Sequence, residues 1–141
     1  MILLNTKTRR DNFKKKCFDL VVTNYKKIPK DKIIEADFAM GNGDCHNHCV
    51  AAVNSGRADS AWLVWGGGDD GVVHFINSKC GKFFDETWSS GYRGYYIIRK
   101  VEPSEFDNAV DLLLSTKRFL ARSCGGIVDN YIMRDLSVGW I

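Results

Sequence analysis

Residues 72–88 read Val72-Val73-His74-Phe75-Ile76-Asn77-Ser78-Lys79-Cys80-Gly81-Lys82-Phe83-Phe84-Asp85-Glu86-Thr87-Trp88. Two β-forming runs, 72–77 and 82–88, flank a short polar segment that ends in glycine, the pattern of a β-hairpin. With Ser78-Lys79-Cys80-Gly81 as a four-residue loop, Asn77 pairs with Lys82, Ile76 with Phe83, Phe75 with Phe84 and His74 with Asp85. A two-residue Lys79-Cys80 loop keeps the same pairing. Directly opposed residues on one face hold their Cβ atoms about 4.5–5.5 Å apart, so this register puts an imidazole within reach of a carboxylate. A three-residue loop would slip the register by one and send the two side chains to opposite faces.

Around this hairpin the periodicity places the other elements. Ala61-Trp62-Leu63-Val64-Trp65 reads as a strand, joined to Val72 through the glycine-rich turn 66–71. A last strand covers 95–101. The connections at 66–71 and 78–81 are too short for crossovers, so the sheet is antiparallel. Upstream, Asp44 is placed to cap a helix over 45–54 that Ser55-Gly56 stops. A first helix spans roughly 9–27 and ends near Pro29. Pro103 suits the first turn of a helix, with Ser104 or Glu102 as cap. Phe106, Ala109, Val110, Leu113, Leu114, Lys117 and Leu120 then recur at helical period to about Ser123, before Gly125-Gly126. In residues 127–141, Tyr131, Ile132, Leu136 and Trp140 suggest a docked tail. The expectation is a single α+β domain over 1–141: a basic amphipathic helix in 1–32, a core in 41–101 with a cysteine-bearing helix on a small antiparallel sheet, and a C-terminal helix in 103–124.

Composition narrows the setting. A chain of 141 residues can bury a real core. No apolar run approaches the roughly 18 residues that span a bilayer, and the opening Met1-Ile2-Leu3-Leu4 is too short for a secretory signal, so no membrane role and a reducing, cytoplasmic setting are expected. Five irregularly spaced cysteines (Cys17, Cys45, Cys49, Cys80, Cys124) fit free thiols better than a disulfide framework. The net charge of +3 conceals an asymmetry: residues 1–32 carry ten Lys/Arg against three Asp, while the remainder is acidic. A nucleic-acid-binding arm is one reading. A solvated helix face is the preferred one, because Phe13, Cys17, Leu20, Val21, Tyr25 and Ile28 recur through the same segment and no aromatic is interleaved with its lysines.

The chemistry-bearing residues are Cys45, His74 and Asp85. A thiol at a helix start gains from the dipole, which favours thiolate, and its own backbone N–H is a ready oxyanion donor. His74 would accept the thiol proton and later return a proton to the leaving group, with Asp85 fixing its tautomer. Asp44, if aimed at the sulfur, would oppose thiolate formation. Taken singly, each residue also has an ordinary structural reading: a buried cysteine, a satisfied strand histidine, a turn-capping aspartate. Cys45-His46-Asn47-His48-Cys49 invites a zinc reading completed by His74 or Cys80, but it lacks paired CxxC spacing, and no metal or other cofactor is expected. His46 is read as solvent-facing and His48 as a pocket-edge, substrate-binding residue. The triple glycine before Asp69-Asp70 lacks the Gly-Lys-Ser/Thr of a phosphate loop. Trp62, Trp65, Tyr92, Tyr95 and Tyr96 read as core, and Trp88 as a wall over the site.

The segment Gly43-Asp44-Cys45 with its small-residue helix, then Val72 to Asn77, then Gly81-Lys82-Phe83-Phe84-Asp85-Glu86-Thr87-Trp88, resembles the papain-like and transglutaminase-like cysteine enzymes over roughly 41–101. It also resembles small uncharacterised phage-encoded proteins that combine a Cys-His pair opening a helix with a His-Phe-Ile-Asn-like strand and a following Asp-x-Thr. The resemblance implies Cys45 as nucleophile, His74 as base and Asp85 as orienting acid, and, for a phage protein, the host cytoplasm. The chain contains no glutamine for the papain-type oxyanion position. Asn42 is the nearby amide and joins His48 and Trp88 as a substrate-binding candidate. The short stretch between helix and His74 leaves little material for a peptide cleft. The implied function is therefore acyl transfer or hydrolysis of a small amide, thioester or ester, with a protein substrate less favoured. Alternatives are a non-enzymatic, inhibitor-like interaction protein on the same scaffold and a zinc-stabilised nucleic-acid-binding module.

Overall fold

The computed structural model describes residues 6–35, 44–69, 71–88 and 94–124. The expected tail at 127–141, Asn42 and Tyr92 lie outside the described residues. Three helices, α1 (Thr6–Asn24), α2 (Cys45–Asn54) and α3 (Ala109–Ser123), accompany five strands: β1 (Lys26–Lys27), β2 (Ser60–Gly66), β3 (Val72–Lys79), β4 (Lys82–Phe84) and β5 (Tyr95–Val101). The strands form one sheet in the order β1-β5-β2-β3-β4, each pair antiparallel. The α+β class and the antiparallel sheet expected from the short connections are what the chain adopts. Short 3-10 segments at Lys30–Lys32 and Pro103–Asn108 complete the described structure.

The hairpin register differs from expectation. The turn is Cys80-Gly81, with φ of +52° and +80°, and the pairs are Lys79↔Lys82, Ser78↔Phe83 and Asn77↔Phe84. The expected pairs Asn77–Lys82, Ile76–Phe83, Phe75–Phe84 and His74–Asp85 are therefore displaced by two residues. Two consecutive residues at positive φ give the tight turn whose twist matches the strands, and here a cysteine takes the first of those positions. β4 also ends at Phe84 rather than running to Trp88. Consequently, among the described residues, the β3 edge at His74 and Phe75 has no strand beside it on that side.

Alternation along β2 and β3 divides the core. Leu63, Trp65, Val73 and Phe75 join Cys17, Val21, Cys45, Cys49, Leu113 and Leu120 under the helices. Val64 and Ile76 point the other way, with Ile28 and Tyr95. Each of these large side chains removed from water contributes on the order of 1.5–3 kcal/mol. α1 buries Cys17 and Val21; α3 turns Ala109, Leu113, Lys117, Leu120 and Ala121 inward. Lys117 is the exception in that apolar stripe, a lysine at 0% exposure. Glu102 is the cap ahead of Pro103, in a reciprocal capping box with Glu105, whose carboxylate also takes Arg99 at 2.6 Å. No helix among the described residues is long and apolar enough to cross a membrane.

Candidate active site

α2 begins at Cys45 because the chain turns helical there, with the His48 N–H donating to the Asp44 carbonyl at 2.9 Å. The Asp44 side chain does not cap the helix as expected. Its Oδ1 instead accepts from Asn47 Nδ2 at 3.1 Å and lies 3.9 Å from His46 Nε2. The N-terminal end of α2 abuts the open edge of β3. The Cys45 thiol there meets the His46 and His74 side chains and the backbone of Phe75.

His74 is buried, and its Nε2 lies 2.9 Å from Asp85 Oδ2. Although the ladder does not pair them, the two-residue displacement preserves the alternation of faces. Asp85, the first residue past β4, thus remains on the His74 side and reaches it diagonally. Its carboxylate is held on all sides: Oδ1 accepts the backbone N–H groups of Thr87 (2.9 Å) and Trp88 (3.1 Å), and Oδ2 also accepts the Tyr95 hydroxyl (2.7 Å). With Oδ2 taking Nε2–H, the other ring nitrogen, Nδ1, is the one left for the sulfur. The Trp88 ring covers the imidazole, stacked at 3.8 Å with planes 2° apart. Gly66 makes room for that ring, since a Cβ there would stand 2.7 Å from Trp88 Cζ3. His48 Nδ1 is 3.0 Å from Thr87 Oγ1, which ties α2 to the segment carrying Asp85.

The electrostatics follow from this packing. Burial, the largest influence on Cys45, raises its pKa, yet the hydrogen bonds from His46 and His74, the His74 charge and the Phe75 backbone together bring the thiol down to about 6. For His74, burial again acts first and disfavours charge, but Asp85 and Cys45 outweigh it and push the imidazole up to about 9. Burial would raise Asp85, and His74, Tyr95 and the Thr87 backbone hold it below the usual carboxylate range. With the thiol lowered and the imidazole raised, the Cys45–His74 contact favours a thiolate–imidazolium ion pair over the neutral pair near neutral pH. The neighbouring Cys49 goes the opposite way: burial, then the charges of Cys45, Asp85 and Glu86, push its thiol well up. Cys17, at 3.4 Å from Cys124, is likewise pushed up by burial.

The structure thus gathers Cys45, His74 and Asp85, sets Trp88 on the imidazole and puts His48 against Thr87; Asn42 lies outside the described residues. His46, expected to face solvent, has a side chain only 12% exposed beside the thiol. Tyr95 and Lys117 were read from sequence as core aromatic and helix-stripe residue. They turn out to be the hydroxyl on Asp85 and a buried amine that feels the charge of Cys45. Only the position of His46 next to Cys45 gave a signal in advance. Among the described residues, no three His, Cys, Asp or Glu side chains converge as a metal site. Compared with known proteins, the chain matches no protein family, no curated protein and no solved structure.

Proposed function

We propose that the chain is a cysteine-nucleophile acyl hydrolase or acyltransferase, of papain-like or transglutaminase-like architecture, acting on a small amide, thioester or ester through a thioester on Cys45. The observation that carries this reading is the imidazole between the two: His74 Nε2 lies 2.9 Å from Asp85 Oδ2, and the same ring meets the Cys45 thiol. In this reading the Cys45 thiolate attacks the acyl carbon, and the His74 imidazolium, fixed by Asp85, keeps the sulfur charged until it does. The backbone N–H at Cys45, among the first-turn donors that a helix leaves unused, faces the developing oxyanion. An imidazolium beside the sulfur supplies the leaving group's proton. Cys45 and Cys49 are both out of solvent, which favours a small acyl group over a protein segment.

The test is iodoacetamide alkylation of the full chain across pH, resolved by peptide mass spectrometry, with exposed Cys80 as the reference thiol. Cys45 should react ahead of Cys80 at acidic pH with a midpoint near 6. His74→Ala should move that midpoint upward, because burial then acts against fewer compensating contacts. Labelling of Cys45 no faster than Cys80 near pH 6 would overturn the reading.

A further inference from the structure

Three buried side-chain polar atoms among the described residues have no nitrogen or oxygen partner: His46 Nδ1, His74 Nδ1 and Asn77 Oδ1. Two of the three belong to imidazoles that flank the same sulfur. Buried polar atoms are normally paired, so ring nitrogens beside a nucleophile with no nitrogen or oxygen partner call for an explanation, and proton exchange with the sulfur is one. The two rings differ in how they are held. His74 is 1% exposed, locked on Asp85 and roofed by Trp88. His46 retains a 12% exposed side chain, and its Nε2 points to the exposed carboxylate of Asp44 at 3.9 Å.

We propose that His46 is a second catalytic imidazole at Cys45: His74 holds the thiolate, while His46, the ring with a path to solvent, moves the proton to the leaving group and from water. The inference rests on the acyl-transfer reading above and divides its proton work between two residues. In acylation the Cys45 sulfur bonds to the acyl carbon, the bond to the leaving group breaks, and the leaving group takes the proton of the His46 imidazolium. In deacylation neutral His46 takes a proton from water, the water oxygen bonds to the acyl carbon, and the C–S bond breaks. The acid is released, with the thiolate and the protonated His46 restored. A sealed imidazolium at His74 is suited to the first task and cut off from water for the second.

The groups that face His46 agree with a titrating role. On α2 these are Cys45, whose hydrogen bond is the largest influence and raises its pKa, and Asp44, which raises it further; burial and the charge of Lys117 on α3 act the other way, and the net shift is upward. From β3, His74 reaches the same sulfur, and Lys14 of α1 bears in turn on Lys117.

The experiment uses 4-nitrophenyl acetate as the probe, an activated ester whose leaving group needs no proton, with the full chain. The acetyl group on Cys45 is followed by intact mass and peptide mapping. Wild-type protein should be acetylated at Cys45 and then release acetate, with a release rate that rises with pH as His46 loses its proton. His46→Asn should accumulate acetyl-Cys45, with release slowed about a hundredfold or more, the usual contribution of a general base. Asp44→Asn, which leaves both imidazoles in place, should shift the midpoint of the release profile to lower pH, a readout that a purely structural role would not move. Acetylated wild type with unchanged release in His46→Asn, or an unshifted profile in Asp44→Asn, overturns the role of His46 alone. A wild-type chain never acetylated at Cys45 overturns the acyl-transfer reading and this inference together.

Discussion

Asp85 shows how a single side chain sets the state of the thiol two contacts away. Its Oδ1 accepts two backbone N–H groups, from Thr87 and Trp88. In Asp85→Asn the amide oxygen must stay on those donors, so the NH2 faces His74 Nε2 and the Tyr95 hydroxyl. His74 Nε2 then has to accept, its proton moves to Nδ1, and that N–H points at the sulfur it should deprotonate. The expected result is an alkylation midpoint for Cys45 raised from about 6 to its ordinary 9.0 or beyond, with a stability loss of about 1–3 kcal/mol from the mismatched buried amide. An unmoved midpoint would remove Asp85 from the site. At this scale the sequence supplied the residue types and their order along the chain. It did not supply Tyr95, because an aromatic opening a strand carries no mark that distinguishes a hydroxyl on a carboxylate from a ring in the core.

At the scale of elements, the hairpin carries the main difference between expectation and structure. The loop was expected to fall on Ser78-Lys79-Cys80-Gly81, whereas β3 runs on to Lys79 and the turn closes on Cys80-Gly81 alone. Sequence preference puts a cysteine in the left-handed region rarely, so a turn that uses one is hard to foresee. The slip is even, so the face of Asp85 survives, and the early end of β4 opens the edge where α2 docks. The Cys45–Asn54 helix itself was legible from its small-residue composition and the Ser55-Gly56 stop, and β5 from its β-branched and aromatic run. β1 was not, since two exposed lysines give no strand periodicity. β2 contributes through Gly66, which backs Trp88: in Gly66→Ala the new Cβ would sit 2.7 Å from the Trp88 ring and 3.2 Å from Tyr95 Cε1. Overpacking of this kind costs about 1–3 kcal/mol. The denaturant midpoint should fall accordingly, and the near-ultraviolet circular dichroism should change as the indole shifts off His74. A variant as stable as wild type would contradict this packing account.

At the scale of the whole molecule, the helices meet over one face of the sheet, and Lys117 on α3 is buried with them beside Cys45. Burial, then the Lys14 charge acting against the pull of Cys45, takes its amine from 10.5 down to about 7. Between those pH values the unfolded chain binds more protons at Lys117 than the folded one, so this residue makes stability rise with pH across that window, at most about 1.4 kcal/mol per pH unit. Urea unfolding between pH 7 and 9 should therefore show wild type gaining relative to Lys117→Met as pH rises; parallel curves would contradict the shift. Lys117 fell on the apolar stripe of its helix in the sequence, and that periodicity said it would point inward without saying what it would meet. The sequence by itself determined the α+β class, the antiparallel sheet, the cysteine at a helix start and the thiol, imidazole and carboxylate in chain order, because local periodicity and turn residues encode elements directly. Only the tertiary structure decided that Asp85 reaches His74 diagonally, that His46 and His74 flank one sulfur, that Tyr95 closes the carboxylate and that a lysine is buried nearby. Those distances depend on how α2, α3 and two strand ends pack, and packing across tens of residues leaves no periodic trace in the chain.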